Sequence, residues 1–188
     1  FVVGLYTGME VMVVRARPLW FTPFLPAQFA ATAFVGAVGL ALLFNRFLPG
    51  RDRALEVSLR RALALSLALV LALGGGWLFV SLSGVSASHS MAFTQVAGMP
   101  QWQFTAVWAV LSSIVPMALA IWRPATSGLV NGLIALHSAW MMRWTIFIGG
   151  QTIPKTGAGL YDYHLPMGND GLLGIIGTVG LWIALLLL

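Results

Sequence analysis

The sequence predicts an all-α fold, a polytopic transmembrane helix bundle of about six spans that forms one domain over residues 1–188. Three observations predict it. Hydrophobic residues make up 59% of the chain and charged residues 8%, with a mean hydropathy of +0.90, whereas soluble domains are about one-quarter charged. The apolar residues fall in runs of roughly 20, long enough at about 1.5 Å per residue to cross a hydrocarbon core of about 30 Å. The period-2 alternation of barrel strands is missing from these runs.

Apolar length and breakers delimit the segments in order. The first, about Phe1 to Val14, ends before Arg15-Ala16-Arg17-Pro18. The second begins at Pro26, a residue suited to a first helical turn, and runs to about Asn45. A charged loop from Arg46 to Arg61 leads to the third, Ala62 to Leu82. After the polar, charge-free stretch Ser83 to Gln103, the fourth covers Phe104 to Trp122 with a kink expected at Pro116. Arg123-Pro124 turns the chain into the fifth, Gly128 to about Gly149. There Gly149-Gly150 is expected to end the helix and Pro154 to prevent its renewal. The sixth runs from Gly171 onward. Phe1 to Leu5 carries no initiator Met and no basic signal-peptide region, and Leu185 to Leu188 stops inside an apolar run. The chain therefore reads as a fragment of a longer protein.

The formal charge of +5 lies beside the spans, where membrane orientation explains it better than nucleic-acid binding. Alternating the loops puts Arg46, Arg51, Arg53, Arg60, Arg61 and Arg123 on one side, against Arg15, Arg17 and Lys155 on the other. The positive-inside rule makes the first side cytoplasmic. The glycine-rich stretch 150–170, with Lys155, Gly157, Asp162, His164 and Asp170, is then external, and its expected role is to meet a partner protein. The absence of cysteine excludes disulfides, thiolate zinc sites and cysteine-held iron–sulfur clusters from this chain. A haem would need two axial side chains, and His137 has no second histidine within a span, so no haem is expected here.

Ionisable groups inside the apolar layer are the candidates for chemistry, because a carboxylate or guanidinium there costs several kcal/mol unless paired, protonated or facing water. Glu10 and Arg143 sit at similar depth near the external end and are expected to pair across helices. The competing reading has Arg143 snorkel to the interface beside Trp140 and Trp144. His137, six residues before Arg143 and about 9 Å deeper, is either a proton carrier or a core histidine bonded to a neighbouring carbonyl. Glu10, Arg143 and His137 form the candidate catalytic set. Tyr6 and Glu10 share a helical face at i, i+4, bordered by Thr7. A planar redox ligand with two carbonyls wants such a lining, although a polar cluster that merely joins helices has the same composition.

Two motifs carry a resemblance. The stretch YTGMEVMVVRARPLWFTPFLPAQFAATAF (6–34) resembles the tyrosine-threonine-glycine helix and alanine-arginine-proline-leucine-tryptophan turn of the NrfD/PsrC family. RWTIFIGGQTIP (143–154) resembles its arginine-tryptophan and glycine-glycine-glutamine signature. These are the quinone-reactive membrane subunits of polysulfide reductase-like complexes. The resemblance implies a multi-pass protein of the bacterial inner membrane that exchanges electrons between menaquinone or ubiquinone and an extrinsic iron–sulfur protein. That protein is attached in turn to a molybdopterin subunit or comparable redox module, which converts the substrate. Tyr6, Thr7, Trp20 and Trp144 are then the candidate quinone-binding residues. Family members have eight or more spans, and much of their quinone pocket comes from helices that precede those present here. Glu10 departs from the apolar pattern expected after the tyrosine-threonine-glycine, so its role rests on membrane physics alone. The alternative functions are a secondary transporter or proton channel lined by Glu10, Arg143 and His137, or a purely structural anchor.

Overall fold

The computed structural model describes residues 2–47, 49–50, 52–122, 128–153, 159–160 and 164–187. Among these the chain is all-helical: α1 (Val2–Met12), α2 (Phe24–Phe47), α3 (Arg53–Ser83), α4 (Ala87–Ala97), α5 (Pro100–Trp122), α6 (Gly128–Thr152) and α7 (Leu172–Leu187). By length and composition, α2, α3 and α5 are long and apolar enough to cross a membrane. The helical class stands as expected, whereas the count of six spans is not established. Arg51, Arg123, Pro124, Pro154, Lys155, Gly157 and Asp162, to which the sequence reading assigned orientation, turn or docking roles, lie outside the described residues.

Three boundaries differ from the sequence reading. The charged stretch 46–61 is largely the start of α3, because Asp52 caps it: its carboxylate accepts from the amides of Ala54 (2.8 Å) and Leu55 (3.2 Å). Asp52 is itself gripped by Asn45 at the end of α2, through its own amide to Asn45 Oδ1 (3.1 Å) and its carbonyl from Asn45 Nδ2 (3.0 Å). The polar stretch 83–103 contains α4, set off from α3 by Gly84 in the left-handed conformation (φ 72°). Lastly, α6 does not stop at Gly149-Gly150 but continues to Thr152, so those glycines serve packing rather than termination.

The core joins α2, α3, α5 and α6. Val35, Val38 and Leu42 of α2 meet Leu63, Leu67 and Val70 of α3, with Ala109 of α5 and Ala135, Met141 and Met142 of α6. In lipid such packing draws on close backbone approach rather than on the hydrophobic effect. Gly39 and Gly132 supply it. A methyl on Gly39 would stand 3.0 Å from the Gly132 carbonyl oxygen, and one on Gly132 would stand 2.8 Å from that of Gly39. α5 runs on through the buried Pro116, and Ser113 ties it to α6 through Ser138 at 2.8 Å. Outside the core many of the large side chains that face outward are apolar, Phe34, Leu65, Leu69 and Phe79 among them, as suits a lipid-facing surface.

Candidate functional site

The two sequence motifs, more than a hundred residues apart, meet at one end of the bundle. The turn after α1 places Arg17 under the last turn of α6, where helical carbonyls have no amide partners of their own. Its Nη1 donates to the carbonyls of Gly150 (3.2 Å), Gln151 (2.9 Å) and Ile153. A cation is favoured at this negative end of the helix dipole. Beside it, Trp20 lays its indole on Gly150 and donates Nε1–H to the Ile146 carbonyl (3.2 Å). Trp102 of α5 does the same one residue earlier, seated on Gly149 and bonded to the Thr145 carbonyl (3.2 Å). A methyl at Gly150 would lie 2.5 Å from Trp20 Cε2, and one at Gly149 3.0 Å from Trp102 Cδ1. The glycine pair is therefore a double seat for indoles.

A buried histidine completes this end. His89, on α4 and only 2% exposed, bonds through Nδ1 to the Pro18 carbonyl (2.8 Å) and through Nε2 to Ser81 Oγ (2.9 Å). A carbonyl only accepts, so Nδ1 carries the proton. Burial holds the imidazole below the ordinary histidine pKa, against the opposing pull of the Pro18 carbonyl. The ring of Trp77 packs edge-on against it at 5.6 Å. His89 thus links α3, α4 and the motif turn, from within the polar stretch 83–103 that the sequence left without a span.

The expected Glu10–Arg143 pair is not made. Arg143 turns to α2, donating Nε–H to Thr32 Oγ1 and Nη2–H to the Phe29 carbonyl, both at 2.9 Å, with its guanidinium 5.4 Å from the Phe29 ring centroid. Neutral acceptors and an aromatic face offset its desolvation in place of a carboxylate. Glu10 instead interacts with Tyr6 on the outer face of α1, where Tyr6 is 59% exposed and Thr7 is exposed beside it. Arg143 and Trp144 do come together: with Trp140, Phe147 and Gln151 they line one shallow groove of about 340 Å³. Trp20 is buried in the motif knot, edge-on to Phe147 at 5.4 Å, and does not line that groove. His137 faces outward between α5 and α6, in a separate apolar groove of about 540 Å³. Its Nε2 accepts from Trp108 Nε1–H at 2.8 Å.

A helix bundle with a lipid-facing exterior and a polar knot at one end defines an integral membrane protein. The chain belongs to the NrfD family: the family described as "Polysulphide reductase, NrfD" matches residues 1–155. It is also similar to a tetrathionate reductase subunit of Salmonella typhimurium, with 33% identity over 191 residues that cover 98% of this chain. The chain spans about half, 53%, of that relative's length. No solved structure matches it.

Proposed function

We propose that this chain is the quinone-interacting part of a membrane anchor subunit in a multi-subunit oxidoreductase of sulfur-compound respiration. It would pass electrons between the quinone pool of a bacterial inner membrane and an extrinsic iron–sulfur subunit attached to a molybdopterin or comparable catalytic module. The observation that carries the reading is the interlocking of its two family motifs, Arg17 and Trp20 on Gly150, in a chain that matches the NrfD family over most of its length. The similarity to a subunit of a tetrathionate reductase supports a sulfur compound as the terminal substrate. With no cysteine in the chain, cysteine-held clusters belong to a partner.

The residues fit a quinone in part. Arg143 spends two donors on α2 and has further N–H groups of its five in a groove walled by Trp140 and Trp144. This combination of aromatic wall and fixed cation would orient a ring carbonyl. Tyr6, Thr7 and Glu10 form an exposed polar face, which needs walls from elsewhere to become a pocket. Bound quinone supplies the two-electron chemistry; Glu10 would accept or return protons at that face, and Arg143 would hold an oxygen in place. The motif end is external in this reading, facing the extrinsic partner.

The test is to purify the full-length protein from its native membranes, identify what accompanies it and measure quinol oxidation. A cluster-bearing subunit should co-purify, and Arg143→Met should cut quinol oxidation at least tenfold while the assembly stays intact. Absence of any redox partner together with no quinol oxidation would overturn the proposal.

A further inference from the structure

Between α2, α3, α5 and α6, on the motif side of the core, lies a cavity of about 150 Å³. Phe24, Leu73, Trp102, Ala109 and Ile146 are among its apolar walls. One amide interrupts them. Gln28 is 3% exposed, and neither its Nε2 nor its Oε1 has a hydrogen-bond partner among the described residues. Trp77, a second wall residue, carries an indole N–H that is equally buried and unpartnered. Each such group costs about 1–3 kcal/mol when left unpaired, and an apolar residue of similar shape would avoid the cost. Their presence at one cavity indicates that something absent from the chain satisfies them. Size and lining narrow the choice. An engineered apolar cavity of about 150 Å³ in another protein stays dry and takes a benzene ring. Room for one ring, apolar walls and a donor–acceptor amide together describe a flat molecule that carries ring oxygens.

We infer that this cavity seats the ring of a lipid-soluble quinone or quinol, with a ring oxygen bonded to the Gln28 amide and within reach of the Trp77 N–H. The inference rests on the quinone reading above. It goes further by assigning a seat built wholly from this chain, separate from the Arg143 groove and from the Tyr6–Glu10 face. A carbonyl oxygen accepts from Gln28 Nε2–H, and the hydroxyl of the reduced form donates to Gln28 Oε1, so one side chain serves both redox states. None of the wall residues is ionisable. The seat therefore holds a ring without exchanging protons, as suits a resident molecule rather than one that turns over there.

Gly74, also in the wall, allows a graded test. A methyl there would meet Met142 Cε at 3.8 Å and Gln28 Nε2 at 4.0 Å, ordinary contacts, so Gly74→Ala should fold normally. The larger Gly74→Leu fills the space. Full-length protein in native membranes is exposed to a photoreactive azidoquinone, and the labelled peptides are mapped. Label is expected on residues 73–78 or 106–110. It should fall roughly tenfold in Gln28→Leu, as the loss of the bonds to the amide implies, and disappear in Gly74→Leu. Thermal unfolding of Gln28→Leu after extraction of quinone from both proteins guards against misfolding: because an unpaired amide has been removed, its Tm should equal or exceed that of the equally extracted wild type. Undiminished label in both variants overturns the seat, as does native mass spectrometry that finds a phospholipid retained there. If quinol oxidation persists while the label ignores these variants, only the seat fails. If no quinone binds and no quinol is oxidised, the functional reading fails with it.

Discussion

Replacing Gly150 by alanine tests the motif knot with a single methyl. The added carbon would lie 2.5 Å from Trp20 Cε2, whereas carbon atoms settle at about 3.5–4.0 Å, so the indole has to retreat by about 1 Å or more. That movement stretches the Trp20 Nε1 bond to the Ile146 carbonyl, already 3.2 Å long, beyond hydrogen-bonding range. It leaves a buried donor unpaired at a cost of about 1–3 kcal/mol. Overpacking adds about 1–3 kcal/mol, and disturbing the edge-on contact with Phe147 at 5.4 Å adds about 0.5–1.5 kcal/mol. Alanine's better helix propensity returns about 1 kcal/mol. The expected net loss is about 3–4 kcal/mol, or roughly 10 °C in Tm for a domain of this size. Gly75→Ala is the control, since a methyl there has no atom within 4 Å and should be neutral or mildly stabilising. The assay is thermal unfolding of both variants in lipid nanodiscs, with Trp20→Ala added to close a double-mutant cycle. Trp20→Ala should make Gly150→Ala nearly harmless. Equal stability of Gly150→Ala and Gly75→Ala, or strict additivity in the cycle, would refute the seat.

Two further predictions concern charged and titrating groups. Because His89 is held below its ordinary pKa of 6.5, the unfolded chain binds more protons in acid. Stability is full above about pH 6.5 and falls as pH drops from there towards the folded-state pKa, by up to about 1.4 kcal/mol per pH unit. Tm measured across pH 7.5 to 5 should show this loss, and His89→Gln should remove most of it; equal acid sensitivity in the variant would contradict the assignment. For Arg143, stability losses in Arg143→Met and Glu10→Gln should add within about 0.5 kcal/mol, whereas Arg143→Met and Thr32→Val should couple by about 1 kcal/mol or more through the shared hydrogen bond. A strong Glu10–Arg143 coupling would reverse that conclusion.

Hydropathy and breakers were enough to determine an all-α membrane chain and the middle of most helices, because lipid forces every backbone amide into an internal bond and so ties long apolar runs to helix. They misjudged the ends. The start of α3 was legible as Asp52, a favoured N-cap residue, with Glu56 in the first turn, signals that a hydropathy reading discounts. α4 is short and half polar, and lies between Gly84 and Gly98, so its apolar residues form no span-length run. The motif residues were visible, but their work was not. Arg17 was counted as orientation charge, and Gly149-Gly150 as a helix stop. Only the packed chain shows the guanidinium on the last carbonyls of α6 and the two indoles on the glycines. Partner choice was decided in the same way. Glu10 and Arg143 have complementary charge and, from the sequence, similar expected depth, yet Glu10 is exposed on α1 and Arg143 turns towards Thr32 and Phe29 on α2. Composition determines that a buried charge must be satisfied; which group satisfies it depends on how neighbouring helices are rotated against one another, and that is set by packing contacts such as Gly39 on Gly132, spread over residues far apart in the chain.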